Sequence, residues 1–268
     1  MIALSCLNRK RTTGDGATSS LRCLAIVVVG VVALVPGCTT TVPTTTVPTS
    51  IPAGTIADVQ TKAAAFVTGE SMEVTGLMGI RRGDGLVVAI FAESGQGSGA
   101  YPTVTAVSGG GVTFTKAATY QLEPFPYFTM ELWVGTDSSG GQTTVTAQLA
   151  GGALADGALF VGEFSGLASS PYDRSATNAG TADVTTYTTP SVAPSEPGEL
   201  FWAVGRWPNV KGTSPNSPWS GLISGVDSSL VSLDTIASGS SAQQGSWTND
   251  GEAAEEVTLV ACFKPSTP

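Results

Sequence analysis

Carboxylates are the strongest candidates for chemistry in this chain, because its 268 residues include no histidine. Without histidine, Ser-His-Asp and Cys-His catalysis are excluded. Glycoside hydrolysis stays open, since it needs only two carboxyl groups about 5–9 Å apart. Glu131 shares a predicted strand face with Trp133, and Glu163 alternates in phase with Leu159 and Val161. Glu131 and Glu163 are therefore candidates for a catalytic pair.

Both glutamates also have a structural interpretation. If Glu163 points toward the core, burial would raise its pKa, as a general acid requires. The same residue at a strand end can instead bind backbone groups or pair with Arg174. The sequence leaves catalysis undecided, and the structural interpretation, with no catalytic residue, is the favoured one.

Aromatic residues suggest a binding function instead. Trp207, Trp219 and Trp247 lie in or beside loops rich in Pro, Ser, Asn and Gly, and Tyr127 follows Pro126 in another loop. Sugar-binding sandwiches present such rings to the faces of pyranoses, so these four residues are predicted to bind ligand. The alternative is that the rings plug the ends of a sandwich, because large aromatics are usually buried.

No cofactor or metal site is predicted. Of the four cysteines, Cys6 and Cys23 precede Cys38, and only Cys262 lies in the predicted folded part. One thiol without histidine excludes zinc sites of the His/Cys type. The apolar neighbours of Cys262 indicate an inert, buried thiol. Oxygen ligands for calcium cluster at 249–252, but Asn-Asp-Gly is a typical hairpin turn.

The N-terminal segment has the pattern of an export signal. Arg22 precedes an apolar run, Leu24–Val35, of 12 residues. A membrane-spanning helix needs about 20 residues, whereas a signal-peptide core needs roughly 7–15. Val35-Pro36-Gly37-Cys38 resembles a bacterial lipobox, although proline departs from its usual small residue. We expect cleavage before Cys38, lipidation of its thiol and anchoring to the outer face of the cell membrane. An ordinary secretory signal or an uncleaved anchor is the alternative.

Three segments follow from this interpretation: a signal peptide at 1–37, a tether at 38–53 and one folded domain at 54–268. The unit Thr-Thr-Thr-Val-Pro occurs twice in the tether, which favours an extended chain. Removal of residues 1–37 leaves 8 basic and 20 acidic residues. This acidic balance, without a cluster of Lys and Arg, excludes nucleic acid as a partner.

The folded part has the pattern of an all-β protein. Short apolar or alternating segments are separated by Gly, Ser, Asn and Asp, which is typical of strands joined by tight turns. Many short strands at this spacing predict two packed antiparallel sheets in a jelly-roll-like sandwich. The one helical alternative is Asp58–Val67. Strands are predicted at 71–75, 86–91, 103–107, 113–117, 128–134, 143–149, 158–164, 200–205, 230–236, 242–247 and 257–263.

Several segments together resemble a group of uncharacterised jelly-roll-like domains in secreted bacterial proteins and phage structural proteins. The most specific is Glu163-Phe-Ser-Gly-Leu167. The resemblance implies fold and exposure and brings no catalytic residues with it. The segments that carry it are Gly85–Phe91, Val104–Lys116, Glu131–Gly135, Gly157–Leu167 and Pro171–Ser175.

These observations favour a lipid-anchored binding or adhesion module at the cell surface, with cell-wall or host glycans as candidate ligands. The alternatives are a carboxylate-dependent glycoside hydrolase of jelly-roll type and a purely structural envelope or phage-derived protein.

Overall fold

The computed structural model describes the chain from Gly54 to Thr267 with gaps. The predicted signal peptide and tether, with Cys38, lie outside the described residues, as do Trp207 and the turn at 249–252. Among the described residues no helix is long and apolar enough to cross a membrane. The described ranges are 54–66, 68–95, 99–122, 127–151, 154–179, 186–206, 214–215, 218–224, 230–236, 240–248 and 257–267, with side chains left undescribed at 214–215, 221–224, 230–234 and 248.

These ranges form antiparallel strands that make two halves of the fold, β1–β8 and β9–β16. The strands of the N-terminal half are β1 Ala57–Phe66, β2 Ser71–Val74, β3 Gly85–Ser94, β4 Pro102–Gly109, β5 Thr115–Leu122, β6 Phe128–Gly135, β7 Val145–Gly151 and β8 Leu154–Ser165. Those of the C-terminal half are β9 Leu167–Ala179, β10 Thr186–Thr188, β11 Leu200–Arg206, β12 Ser214–Pro215, β13 Ser220–Ser224, β14 Leu230–Ile236, β15 Ser246–Thr248 and β16 Val257–Pro265.

The two halves have the same topology. In the N-terminal half a large sheet has the order β1-β8-β3-β6-β5 and a small sheet the order β2-β7-β4. Adding eight to each strand number gives the sheets of the C-terminal half, β9-β16-β11-β14-β13 and β10-β15-β12. Contacts between the halves are reciprocal, since β1 meets β13 and β5 meets β9. Such reciprocity is that of a two-fold, isologous interface, here within one chain.

The largest apolar cluster lies between the two large sheets. Alternate residues of β3, β6 and β8 face it from one side, and those of β11 and β16 from the other. Phe164 meets Trp202 edge to face across this layer, at 5.5 Å between ring centroids. At its rim Arg206 forms an ion pair of 2.8 Å with Glu93 of the other half. Burial of this layer joins the halves, and the described residues from Gly54 onward form one compact unit.

The opposite face of each large sheet packs on the small sheet of its own half. In the N-terminal half Ile90 and Leu159 of the large sheet belong to one apolar cluster with Met72 and Val145 of the small sheet. In the C-terminal half a smaller cluster contains Phe201 and Cys262 with aromatic residues of the small sheet. β3, β8, β11 and β16 are covered on both faces and are apolar along most of their length, which agrees with the continuous apolar runs in the sequence. The layers are therefore small, large, large and small.

The all-β antiparallel sandwich predicted from the sequence is confirmed, with two corrections. Four layers are present where two sheets were expected. The helical alternative at Asp58–Val67 is wrong, since Ala57–Phe66 forms β1 and pairs with β8. At the end of β4 the chain turns through Gly109, Gly110 and Gly111, which all have positive φ, a backbone conformation that favours glycine.

Candidate functional site

Glu131 lies on β6 and is bound on both carboxylate oxygens. Its Oε1 accepts from Lys116 Nζ at 2.7 Å, and its Oε2 accepts from Trp133 Nε1 at 2.7 Å. The side chain is 1% exposed. Burial raises the pKa of Glu131, while Lys116 and Trp133 lower it in part. The predicted pairing of Glu131 with Trp133 on one face is confirmed, but Glu131 is buried and binds Lys116, and Trp133 is half-buried.

Glu163 lies on β8 and is completely buried. It accepts a hydrogen bond from the Gln60 side-chain amide of β1 and another from the Arg81 backbone N–H at 2.7 Å. Asp84 hydrogen-bonds to it as well. The inward orientation predicted from alternation is confirmed. Its partners are β1 and the loop before β3, whereas the sequence suggested Arg174.

The two glutamates are too far apart to form a catalytic pair. Glu131 lies opposite Ile90 of β3, and Glu163 lies opposite Leu86 on the other side of that strand. Four residues along a strand and two strand spacings separate the backbone positions by about 16 Å. Glycosidases need carboxyl groups about 5–9.5 Å apart. The two carboxylates also bind partners in different parts of the sheet. Glu131 binds residues of β5 and β6, and Glu163 binds residues of β1 and of the loop before β3.

Two of the predicted aromatic ligand-binding residues are corrected by the structure. Trp219 is 6% exposed and Trp247 is fully buried. Trp247 stacks on Tyr187 at 6.1 Å between centroids, and Trp219 meets Phe201 edge to face. The prediction that they present faces to a ligand is wrong, because they fill the core between the C-terminal sheets. Tyr127 is half-buried beside β6.

A groove lies where the N-terminal and C-terminal halves meet at β5 and β9. Its volume is about 240 Å³, and all of its lining side chains are uncharged. Hydroxyl groups come from both halves, and the Thr136 hydroxyl donates to the Ser169 carbonyl at 3.3 Å across the seam. We call this the seam groove. It is lined by Thr113, Thr115, Val134, Gly135, Thr136, Ser169, Ser170, Pro171 and Tyr172.

Tyr172 is the aromatic residue of the seam groove. Its side chain is 42% exposed, and its hydroxyl is hydrogen-bonded to Ser175 Oγ at 3.1 Å. The contact with Ser175 fixes the ring while one end stays open to solvent. An apolar ring with a polar edge, beside a row of hydroxyls, matches a ligand that combines apolar faces with many hydroxyl groups.

The sequence did not single out Tyr172, although it stands in the segment Pro171–Ser175. The available signal was a short polar run, Ser169-Ser170, followed by proline and tyrosine. Proline favours an edge strand, and β9 is the edge of its sheet. A residue on an edge strand with an aromatic ring is a candidate for contact with a partner.

A second, larger hollow of about 530 Å³ lies in the N-terminal half. The residues that line it include Glu70, Leu149 and Leu154, and none of those described is aromatic. It therefore lacks the stacking surface that the seam groove has.

Comparisons of the chain with known protein families, with curated proteins and with solved structures give no match. The resemblance to jelly-roll-like domains of secreted and phage proteins stays a prediction.

Proposed function

We propose that the protein is a non-catalytic binding module that is held at the cell surface by a lipid on Cys38 and binds a neutral glycan in the seam groove. The observation that carries this proposal is the exposed, anchored ring of Tyr172 beside hydroxyl groups from both halves.

The groove's chemistry supports a neutral saccharide. Thr113 and Thr115 lie on one side and Ser169 and Ser170 on the other, and all four are exposed. Hydroxyls can both donate and accept, as sugar hydroxyls do. No charged side chain lines the groove, so nothing in it favours a sulfated or phosphorylated chain. Its volume is below the roughly 300–1,000 Å³ of a drug-sized pocket, which suits a segment of a longer chain lying across it.

Burial of the carboxylates supports binding over hydrolysis. Glu131 and Glu163 are both buried and bound to other residues. The Asp84–Glu163 pair is in hydrogen-bond contact, but Glu163 is 0% exposed and cannot touch a sugar in this arrangement. The two glutamates on which the glycosidase alternative rests are therefore neither accessible nor close to each other.

The fold supports display outside the cell. Each half has eight strands in two sheets, with one strand order shared by both halves. We infer that each half is a jelly roll, an arrangement in which two sheets leave loops and edges free for recognition. The acidic composition of the chain favours solubility beyond the membrane surface.

A glycan array with the purified full-length protein tests the proposal. We expect capture of neutral oligosaccharides, and loss of that capture in Tyr172→Ala. Thr113→Val removes one groove hydroxyl at similar volume and is expected to weaken capture by roughly five- to tenfold, about one hydrogen bond.

Tyr127→Ala is the matched control, because Tyr127 is a half-buried tyrosine that lies outside the seam groove. Binding should survive this change. If no glycan is captured, or if Tyr172→Ala binds as well as the natural protein, the seam groove is not a glycan site. Such a result would favour the interpretation that the protein is purely structural. If Tyr127→Ala alone abolishes capture, the site is the loop predicted from the sequence.

A further inference from the structure

A β-bulge in β9 brings a carboxylate beside the thiol of β16. Tyr172 pairs with Phe263 and Arg174 pairs with Cys262, which leaves Asp173 as the extra residue. A bulge of this kind redirects a side chain and is frequent beside functional sites. Asp173 Oδ2 lies 3.8 Å from Cys262 Sγ. The Asp173 side chain is only 8% exposed.

Glu199, just before β11, contributes a second carboxylate. Its Oε1 accepts from the Ser195 N–H at 2.8 Å, the Ser195 hydroxyl at 2.9 Å and the Glu196 N–H at 3.0 Å. Its Oε2 is buried and accepts no hydrogen bond of normal geometry from the described residues. The residue is 0% exposed. A buried carboxylate oxygen without a proper partner is costly, and the Glu199 carboxylate lies beside the thiol of Cys262.

The three side chains converge. One potential ligand atom each from Asp173, Glu199 and Cys262 lies within 4.8 Å of the other two. The neighbouring thiol is a weak donor, so it satisfies Glu199 poorly. The predicted burial of Cys262 is confirmed, at 0% exposed. Burial raises the pKa of its thiol, and Glu199 raises it further.

We propose that Asp173, Glu199 and Cys262 form a binding site for a divalent cation of the zinc class. Zinc is bound by one thiolate and carboxylate oxygens at about 2.3 Å and 2.0 Å, and tetrahedral geometry then separates sulfur from oxygen by about 3.5 Å. The 3.8 Å between Cys262 Sγ and Asp173 Oδ2 is close to that value. Three protein ligands leave a fourth position for water.

The charges around the site fit such an ion. Lys264 Nζ lies 3.3 Å from Asp173 Oδ1, and Arg174 Nε lies 2.8 Å from Asp173 Oδ2. Oδ2 also accepts from the Ser195 N–H at 3.2 Å, so an ion bound to Oδ2 replaces one of its two donors, while Lys264 stays on Oδ1. Lys264 and Arg174 offset part of the negative charge of two carboxylates and a thiolate. Binding displaces the thiol proton of Cys262, which is released to solvent.

Metal titration of the reduced, chelator-treated full-length protein tests the site. Cobalt(II) serves as a spectroscopic substitute for zinc, because a thiolate ligand gives a charge-transfer absorption in the near ultraviolet. We expect this absorption to saturate near one equivalent in the natural protein and to be absent in Cys262→Ser. Glu199→Gln should weaken cobalt and zinc binding by about tenfold or more, and it should remove the rise in unfolding temperature that zinc gives.

Glu131→Gln is the matched control, since Glu131 is also a buried glutamate but lies in the N-terminal half. It should bind the ion as the natural protein does. The proposal is overturned if no thiolate absorption develops, or if it persists in Cys262→Ser through Cys6, Cys23 or Cys38. If Cys262→Ser fails to fold, the metal affinity of Glu199→Gln tests the site instead, because this variant keeps the thiol of Cys262. Unchanged affinity in Glu199→Gln would overturn the site.

Discussion

Asp84 and Glu163 share a hydrogen bond at the end of the N-terminal large sheet, and both are buried. Two carboxyl groups in contact cannot both ionise without strong repulsion. Burial raises the pKa of Asp84 to about 6, and the hydrogen bond and charge of Glu163 add to the effect, while Arg81 opposes it. The pair therefore holds a proton well above the pH at which an ordinary aspartic acid releases it.

Because the folded protein retains this proton, we expect the protein to be more stable in mild acid than at neutral pH. The folded protein keeps the proton of Asp84 up to about pH 6, whereas an unperturbed aspartate releases it near 3.8. The stability from this group is therefore fully present below about pH 4 and is lost as the pH rises through about 6. Burial also raises the pKa values of Glu93 and Glu131, which acts in the same direction, while the lowered pKa of Asp173 opposes it.

Asp84→Asn isolates the contribution of the pair. Its amide remains a neutral donor toward Glu163 at every pH, so we expect a smaller loss of stability between pH 4 and 7 than in the natural protein. Denaturant unfolding at a series of pH values measures this. Asp137→Asn is the control, because Asp137 is an exposed turn residue with a positive φ of 57° that asparagine tolerates. An identical pH dependence in Asp84→Asn and the natural protein would contradict the shared proton.

The contact between the large sheets predicts a large effect of one added methyl group. A Cβ on Gly162 would lie 2.3 Å from a ring carbon of Trp202 and 2.7 Å from the ring of Phe164. Both rings are in the layer that joins the two halves. We expect Gly162→Ala to lower the free energy of unfolding by about 1–3 kcal/mol, as overpacking does. Gly95→Ala is the control, since its Cβ would meet Ala155 at an ordinary 3.6 Å; equal losses in both variants would refute the close contact.

The sequence predicted the apolar strands and the alternating strands, and it missed β1 and β9, which have neither pattern. The apolar segments that form β3, β6, β8, β11 and β16 lie in the interior of the sandwich, so their apolar composition correctly indicates that they are buried. β1 is rich in alanine, which does not favour strands, and it is a strand because it pairs with β8. β9 is polar and contains Pro171, as an edge strand can. The shared topology of the halves was also missed, because sequence patterns do not give strand order.

The site was harder to predict than the fold. The alternation of residue types correctly predicted that Glu163 points inward. It could not show that Glu131 and Glu163 lie four residues apart in register across β3. Loop composition suggested exposure for Trp219 and Trp247, whereas the C-terminal small sheet has so few residues that large rings must fill its core. Tyr172 and Asp173 owe their positions to an edge strand and a bulge, and neither feature leaves a periodic signal.

The burial of Trp247 predicts a structural role that can be separated from binding. Trp247→Ala removes a fully buried ring that stacks on Tyr187, so the free energy of unfolding should fall by about 3–5 kcal/mol. Tyr172→Ala removes an exposed ring and should change it by no more than about 0.5 kcal/mol. For glycan capture by folded protein we expect the opposite: the loss should be large in Tyr172→Ala and small in Trp247→Ala. A stable Trp247→Ala that has lost glycan binding would restore the sequence-based interpretation of this residue.

Lipidation at Cys38 predicts where the protein is found. We expect the natural protein to fractionate with membranes, and mass spectrometry to find a mature chain that begins at an acylated Cys38. A single acyl chain holds a protein only marginally, while two or more anchor it stably, so retention should resist washing with high salt. Cys38→Ala removes the acceptor thiol and leaves the apolar run Leu24–Val35 unchanged, which makes it the matched test of lipidation against an uncleaved anchor. Loss of acylation and release from membranes in this variant fit a lipid anchor; unchanged membrane retention with an intact leader would show that the apolar run is the anchor.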